Sequence, residues 1–227
     1  LVEARFWLEA ESCYAQALDG DKQPIGALSS NAGHLLAAGL PSPERAALQA
    51  ARFMEPDFAS GWGIRTLSSR MPSYNPMSYH NGSIWPHDNS LIAAGFYRYG
   101  HDIAGERVVD SLFDAALAMP GYRLPELYCG FERQMGRGAR PVPYPVSCSP
   151  QAWAAGAMPL LIRSMLGLEA DTRNGVVIVQ PRLPSWLDGI EIEHLRGLGG
   201  TGAIRLARMD GGYELDSSGI TARLQHS

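Results

Sequence analysis

Two stretches of this chain concentrate residue types suited to chemistry on a hydroxyl-rich molecule. The first holds Ser60-Gly61-Trp62-Gly63-Ile64-Arg65-Thr66-Leu67. It continues with Tyr74-Asn75-Pro76-Met77-Ser78-Tyr79-His80-Asn81-Gly82-Ser83-Ile84-Trp85-Pro86-His87-Asp88-Asn89. The second holds Arg123-Leu124-Pro125-Glu126-Leu127-Tyr128-Cys129-Gly130-Phe131-Glu132, then Pro143-Tyr144-Pro145. A pyranose has an apolar face and a ring of hydroxyls, so it is held by aromatic platforms together with amides, carboxylates and guanidinium groups. Trp62, Tyr79, Trp85 and Tyr128 are candidate platforms. Arg65, Asn81, His87, Asp88 and Asn89 are candidate hydroxyl partners, with His80 among them. The competing reading is a folded loop that packs its aromatics and satisfies its own backbone with Asn and Asp.

Cleaving a glycosidic bond takes two carboxyl groups, one to protonate the leaving oxygen and one to activate water or attack carbon. Glu126 is the first candidate. Pro125 biases Leu124 to extended backbone, and Leu124, Leu127 and Tyr128 make the kind of apolar setting that raises a carboxyl pKa. An exposed loop glutamate is the commoner role for any single Glu. Asp88 and Glu132 are second choices, and a first-turn carboxylate such as Asp88 is favoured by the helix dipole in any case. The spacing of His80, His87 and Asp88 is not that of a zinc signature. There is no Gly-rich phosphate loop and no GxSxG, so neither a metal nor a cofactor is expected. Cys13, Cys129 and Cys148 have no paired base in view, which argues against acyl transfer.

Hydrophobic periodicity predicts helices over about 1–18, 31–39, 43–56, 83–99, 103–118 and 149–166. Ser42-Pro43-Glu44 opens one of them with a capping Ser and Pro at the first helical position; Ser83 is expected to cap another. Between helices lie irregular stretches, 57–82 and 119–147, too long to be idle connections. After Gly175 the character changes to strands, at 176–179, 190–193, 203–207 and 213–215, with a hairpin turn at Gly211-Gly212. Helices followed by strands argue against a doubly wound sheet.

Of 227 residues, 45% are hydrophobic and only 19% charged, below the usual quarter. Part of the surface is therefore expected to be covered by a missing domain. A net charge of -4 gives no footprint for nucleic acid, and no apolar run of 18 residues suggests a membrane span. The chain starts inside a predicted helix without Met, which suggests an excised piece of a longer protein. An odd number of cysteines without metal-ligand spacing points to reduced thiols and a cytoplasmic setting.

Taken together the blocks resemble bacterial amylo-alpha-1,6-glucosidases, or glycogen debranching enzymes. The resemblance includes Ser30-Asn31-Ala32-Gly33-His34-Leu35-Leu36, the 60–67 and 74–89 runs and Leu124-Pro125-Glu126-Leu127. It extends to Tyr144-Pro145, Pro150-Gln151-Ala152-Trp153 and Pro181-Arg182-Leu183-Pro184. The wider group is similar to mannosylglycerate hydrolases and trehalase-like enzymes. The resemblance implies a mainly α fold: residues 1–170 as the C-terminal half of a six-hairpin (α/α)6 barrel, followed at 171–227 by a small antiparallel β unit. It also implies an inverting mechanism in which Glu126 matches the base and the acid lies upstream, in the other half of the same barrel. The expected partners are a carbohydrate substrate and that upstream half. Other readings are a different α/α-barrel glycosidase, a non-catalytic carbohydrate-binding module, or a helical scaffold with a β cap.

Overall fold

The computed structural model describes residues 1–134, 136, 138–197 and 200–225; residues 198, 199, 226 and 227 of the expected β unit thus lie outside the description. The chain divides into two compact units, Leu1–Leu161 and Ile162–Ser227.

The first unit opens with α1 (Val2–Arg5), then a short antiparallel hairpin of β1 (Trp7–Leu8) and β2 (Cys13–Tyr14). A 3-10 turn at Ser30–Gly33 leads into α2 (His34–Ala38), followed by α3 (Pro43–Phe53), α4 (Pro86–Arg98) and α5 (Asp102–Ala118). α6 (Ala152–Met165) begins in this unit. α3 starts as its sequence dictates: Ser42 Oγ accepts the Arg45 N–H at 3.3 Å and Pro43 occupies the first turn.

α4 is the central helix and packs against both α2 and α5. Its residues are buried nearly all round, His87 to Ser90 as well as Ile92, Ala93 and Phe96, as expected of a helix enclosed by others. Gly95 permits the close approach of α2, since a Cβ there would lie 2.5 Å from Leu36 Cβ and 2.7 Å from the Ala37 nitrogen. This contact brings the start of α2, with His34, against the start of α4, with Asp88. Ser83 does not cap α4. Trp85 is the residue at the cap position, extended, with Pro86 in the first turn.

The second unit holds two sheets. β3 (Glu169–Asp171), β4 (Val176–Val179) and β8 (Thr221–Leu224) form one; β5 (Gly189–Gly197), β6 (Gly200–Met209) and β7 (Gly212–Ser218) form the other. In the second sheet Leu206 pairs with Ile190 on one side and Leu215 on the other, and Ile204 and Leu206 are its buried residues. β4 pairs with β8 in parallel.

The expectation of a mainly α half-barrel is overturned. Among the described residues helix accounts for 33% and strand for 23%, in three sheets. The six helices among the described residues range from 4 to 17 residues, too uneven for a ring of matched hairpins. The predicted first helix shows why periodicity misled. Phe6, Leu8, Tyr14 and Leu18 bury apolar surface without a helix: α1 stops at Arg5, Ser12 takes a left-handed conformation at φ 49°, and Trp7 pairs with Tyr14 across the hairpin. The β unit is not purely antiparallel either, because a long return connection lets β8 lie alongside β4 in the same direction.

Candidate active site

The two irregular stretches are stitched to each other through both backbone and side chains. Between the two, Ile84 and Tyr128 exchange N–H···O=C bonds of 2.9 and 3.0 Å and Gly130 N–H reaches Pro76 O at 2.8 Å; within the first, Thr66 N–H reaches Ser83 O at 2.9 Å. The crossing of 82 with 130 is so close that a Cβ on Gly130 would sit 1.6 Å from Gly82 O.

Buried polar side chains complete the frame. Arg65 donates from Nε to Gly130 O at 2.7 Å and from Nη1 to Pro56 O at 2.8 Å. Asn89, fully buried, accepts the Ile64 N–H on Oδ1 at 2.6 Å. Its Nδ2 donates to Ile64 O and Trp85 O, both at 3.0 Å. Trp62 is buried beneath the Arg133 guanidinium, 4.4 Å from its ring, and its carbonyl accepts the Tyr128 hydroxyl at 2.6 Å. Trp62, Arg65, Asn89 and Tyr128 are thus hydrogen-bonded into the frame.

Glu126 is half-buried at the end of a run of aromatic rings. Its Oε1 accepts the Tyr79 hydroxyl at 2.8 Å, its Oε2 the Cys148 N–H at 3.3 Å, and its own N–H donates to Cys148 O at 2.9 Å. The bond to Glu126 holds the Tyr79 phenol above its ordinary pKa. Tyr79 meets His80, Trp85 and Tyr144 edge-on, with centroids 4.7, 4.8 and 5.7 Å away. Trp85 is fixed in turn, its indole N–H lying 2.9 Å from Ser83 Oγ and 3.1 Å from Tyr79 O.

Trp85, His80, Asn81 and His87 line a cleft of about 340 Å³, together with His34 and Asp88. Trp153, more than half exposed, stacks on His87 at 4.1 Å with planes 15° apart. His34 Nε2 donates to Asp88 Oδ1 at 2.5 Å. That bond raises the His34 pKa against the opposing effect of burial. His87 is buried, and desolvation lowers its pKa so that the neutral imidazole is favoured.

The structure therefore brings His80, Asn81, Trp85 and His87 together around one cleft; Tyr79 packs edge-on against His80 and Trp85 and joins Glu126 to them through its hydroxyl. Glu132 is exposed and lines a different cleft with Arg107 and Arg133. Among the described residues, no group of three or more His, Cys, Asp or Glu is placed to hold a metal ion. No helix among them is long and apolar enough to cross a membrane. Sequence reasoning on residue chemistry passed over His34, Ser29 and Trp153. His34 and Trp153 lie inside blocks that carry the family resemblance, which was the available signal.

Comparison with known proteins places the chain in a glycoside hydrolase family. Residues 1–124 match the family described as the mannosylglycerate hydrolase MGH1-like glycoside hydrolase domain, and the chain belongs to that family. No curated protein matches it. Among solved structures, an uncharacterized conserved protein from Thermus thermophilus is similar at 24% identity and a TM-score of 0.51, covering 69% of this chain and 36% of that one. A GH63 mannosylglycerate hydrolase from the same organism, in complex with glucose, gives 23% identity and a TM-score of 0.49, with 69% and 36% covered. The chain spans about a third of the length of these structures, and the first likeness shows a shared fold over that part.

Proposed function

We propose that this chain contributes the water-activating carboxylate and part of the sugar-binding wall of an inverting glycosidase, with a small α-linked glycoside as substrate. The observation that carries the reading is Glu126, half-buried, held on Oε1 by Tyr79 and set against the ring cluster of Tyr79, Trp85 and Tyr144. Glu126 takes a proton from water, the resulting hydroxide attacks the anomeric carbon, and the bond to the leaving oxygen breaks as a second carboxylic acid protonates that oxygen. The two carboxyls of an inverting pair stand ~6.5–9.5 Å apart, leaving room for the water. We assign the acid to a part of the protein outside this chain, because the cleft's own carboxylate, Asp88, is hydrogen-bonded to His34. Trp85 and His80 offer ring faces to the sugar, and Asn81 and His87 offer polar atoms.

Mannosylglycerate is the first substrate to test, on the strength of the family's name. An amylo-alpha-1,6-glucosidase activity is the second reading, supported by the blocks that resemble that group. It is favoured by one observation: no Lys or Arg lines the cleft among the described residues, as suits an uncharged glucan better than an anionic aglycone. The test is sugar release from mannosylglycerate and a panel of α-linked glucosides, using the full-length protein and its Glu126→Gln variant. Loss of a general base is expected to lower kcat at least ~100-fold. Activity that survives the substitution would remove Glu126 from the mechanism.

A further inference from the structure

Tyr79 is held from three directions. Its carbonyl accepts the Ser83 hydroxyl at 2.7 Å and the Trp85 indole N–H at 3.1 Å. Its ring meets the edges of His80, Trp85 and Tyr144, and its hydroxyl donates to Glu126 Oε1 at 2.8 Å. Tyr79 stands outside the lining of the cleft to which His80, Asn81 and Trp85 belong. These contacts suit a support for the carboxylate better than a platform for a sugar.

We propose that Tyr79 is a positioning residue for Glu126: its hydroxyl occupies Oε1, fixes the rotation of the carboxylate, and leaves Oε2 as the atom that takes the proton from water. The inference deepens the proposed glycosidase reading and rests on Glu126 being the base. The last torsion of a glutamate is broad and roughly two-fold, so an unrestrained carboxylate presents either oxygen, over a range of angles. Two donors remove that freedom. Tyr79 binds Oε1 at an ordinary hydrogen-bond length, and the Cys148 N–H reaches Oε2 at 3.3 Å. Each oxygen of an ionised carboxylate has two lone pairs, so Oε2 keeps one for water. In the step this serves, an O–H bond of water breaks and its proton goes to Oε2. The electron pair forms the bond to the anomeric carbon as the bond to the leaving oxygen breaks. The phenol stays on Oε1 throughout, so the same atom accepts the proton in every turnover.

The experiment is steady-state kinetics of the full-length protein on mannosylglycerate and the α-linked glucosides, joined to a spectroscopic titration. Tyr79→Phe keeps the ring and removes only the hydroxyl. It is expected to lower kcat about tenfold to a hundredfold, as the loss of a hydrogen bond to a charged group implies, with KM little changed. A platform would keep its kcat in this variant. In a Glu126→Gln background the same substitution is expected to cost nothing further, because residues that act as a unit are not additive. A merely structural role would cost the same in both backgrounds. The titration needs no turnover. The absorbance difference between the protein and Tyr79→Phe, followed into alkali, isolates the ionisation of the Tyr79 phenol. The bond to Glu126 is the leading cause of the raised pKa of that phenol, ahead of burial and of the charges of Glu126, Cys148 and Tyr144. Glu126→Gln is therefore expected to move the ionisation to lower pH. An unmoved ionisation, or an undiminished kcat in Tyr79→Phe, would overturn the positioning role, and an inactive Glu126→Gln would still leave Glu126 as the base. Activity that survives Glu126→Gln would overturn both.

Discussion

Asn89→Ala is expected to damage the fold rather than sugar contact. The amide is fully buried and holds both the N–H and the C=O of Ile64, 25 residues away, besides the Trp85 carbonyl. Truncation strips both Ile64 groups of that partner. A buried polar group left unsatisfied costs about 1–3 kcal/mol, so the two together cost about 2–6 kcal/mol. The Trp85 carbonyl adds little, because the backbone N–H of Asn89 still reaches it at 3.0 Å. Against a net stability of about 5–15 kcal/mol for a domain, this is a large fraction. Urea unfolding followed by tryptophan fluorescence measures it, as a fall in midpoint with the slope unchanged. Asn89→Asp keeps the acceptor for Ile64 N–H but faces two carbonyls with an anion, so it is expected to be no more stable than Asn89→Ala. A loss below about 1 kcal/mol in Asn89→Ala, accompanied by a raised KM, would refute the reasoning and return Asn89 to the ligand.

Gly130→Ala places a methyl 1.6 Å from Gly82 O, and relief requires the backbone crossing to open; the variant is expected to lose activity and melt several degrees lower by calorimetry, whereas Gly136→Ala, with open space around it, is not expected to disturb that crossing. The pH dependence of stability follows from two histidines with opposite shifts. The Asp88 bond raises the His34 pKa, so the stability from this pair is full below about pH 6.5 and lost as pH rises through the raised value. Burial lowers the His87 pKa, so its contribution is present above about pH 6.5 and lost as pH falls toward the depressed value. The melting temperature lost in His34→Gln should therefore be greatest on the acid side and shrink as pH rises toward 8; a loss independent of pH would rule out the ion pair as its source.

Local signals were legible wherever a few neighbouring residues decide the outcome. Ser42-Pro43 announced α3, and the apolar spacing of 103–118 matches an α5 that spans Asp102–Ala118. The run 1–18 failed because its apolar residues are consistent with a helix or a short hairpin, and pairing of Trp7 with Tyr14 decides between them. In the candidate site, residue type alone does not fix the direction each side chain faces. Arg65 and Asn89 have the chemistry of sugar partners, yet the backbone groups they bind are supplied by residues brought close only by folding. His34 and Asp88 lie 54 positions apart; their contact depends on α2 crossing α4 at Gly95, a packing fact that neither local sequence contains.

The stitching of the two irregular stretches has an evolutionary consequence. Four of the bonds that tie them, two between 84 and 128, one between 76 and 130 and one between 60 and 133, join main-chain atoms. Main-chain ties are indifferent to which side chain projects from the same residue. Under the proposed glycosidase reading, positions such as His80 and Asn81 are free to drift, and with them the preferred sugar, while the loops keep their course. Divergence in such a family would be recorded first at the tips of these loops and last at the glycines where they cross.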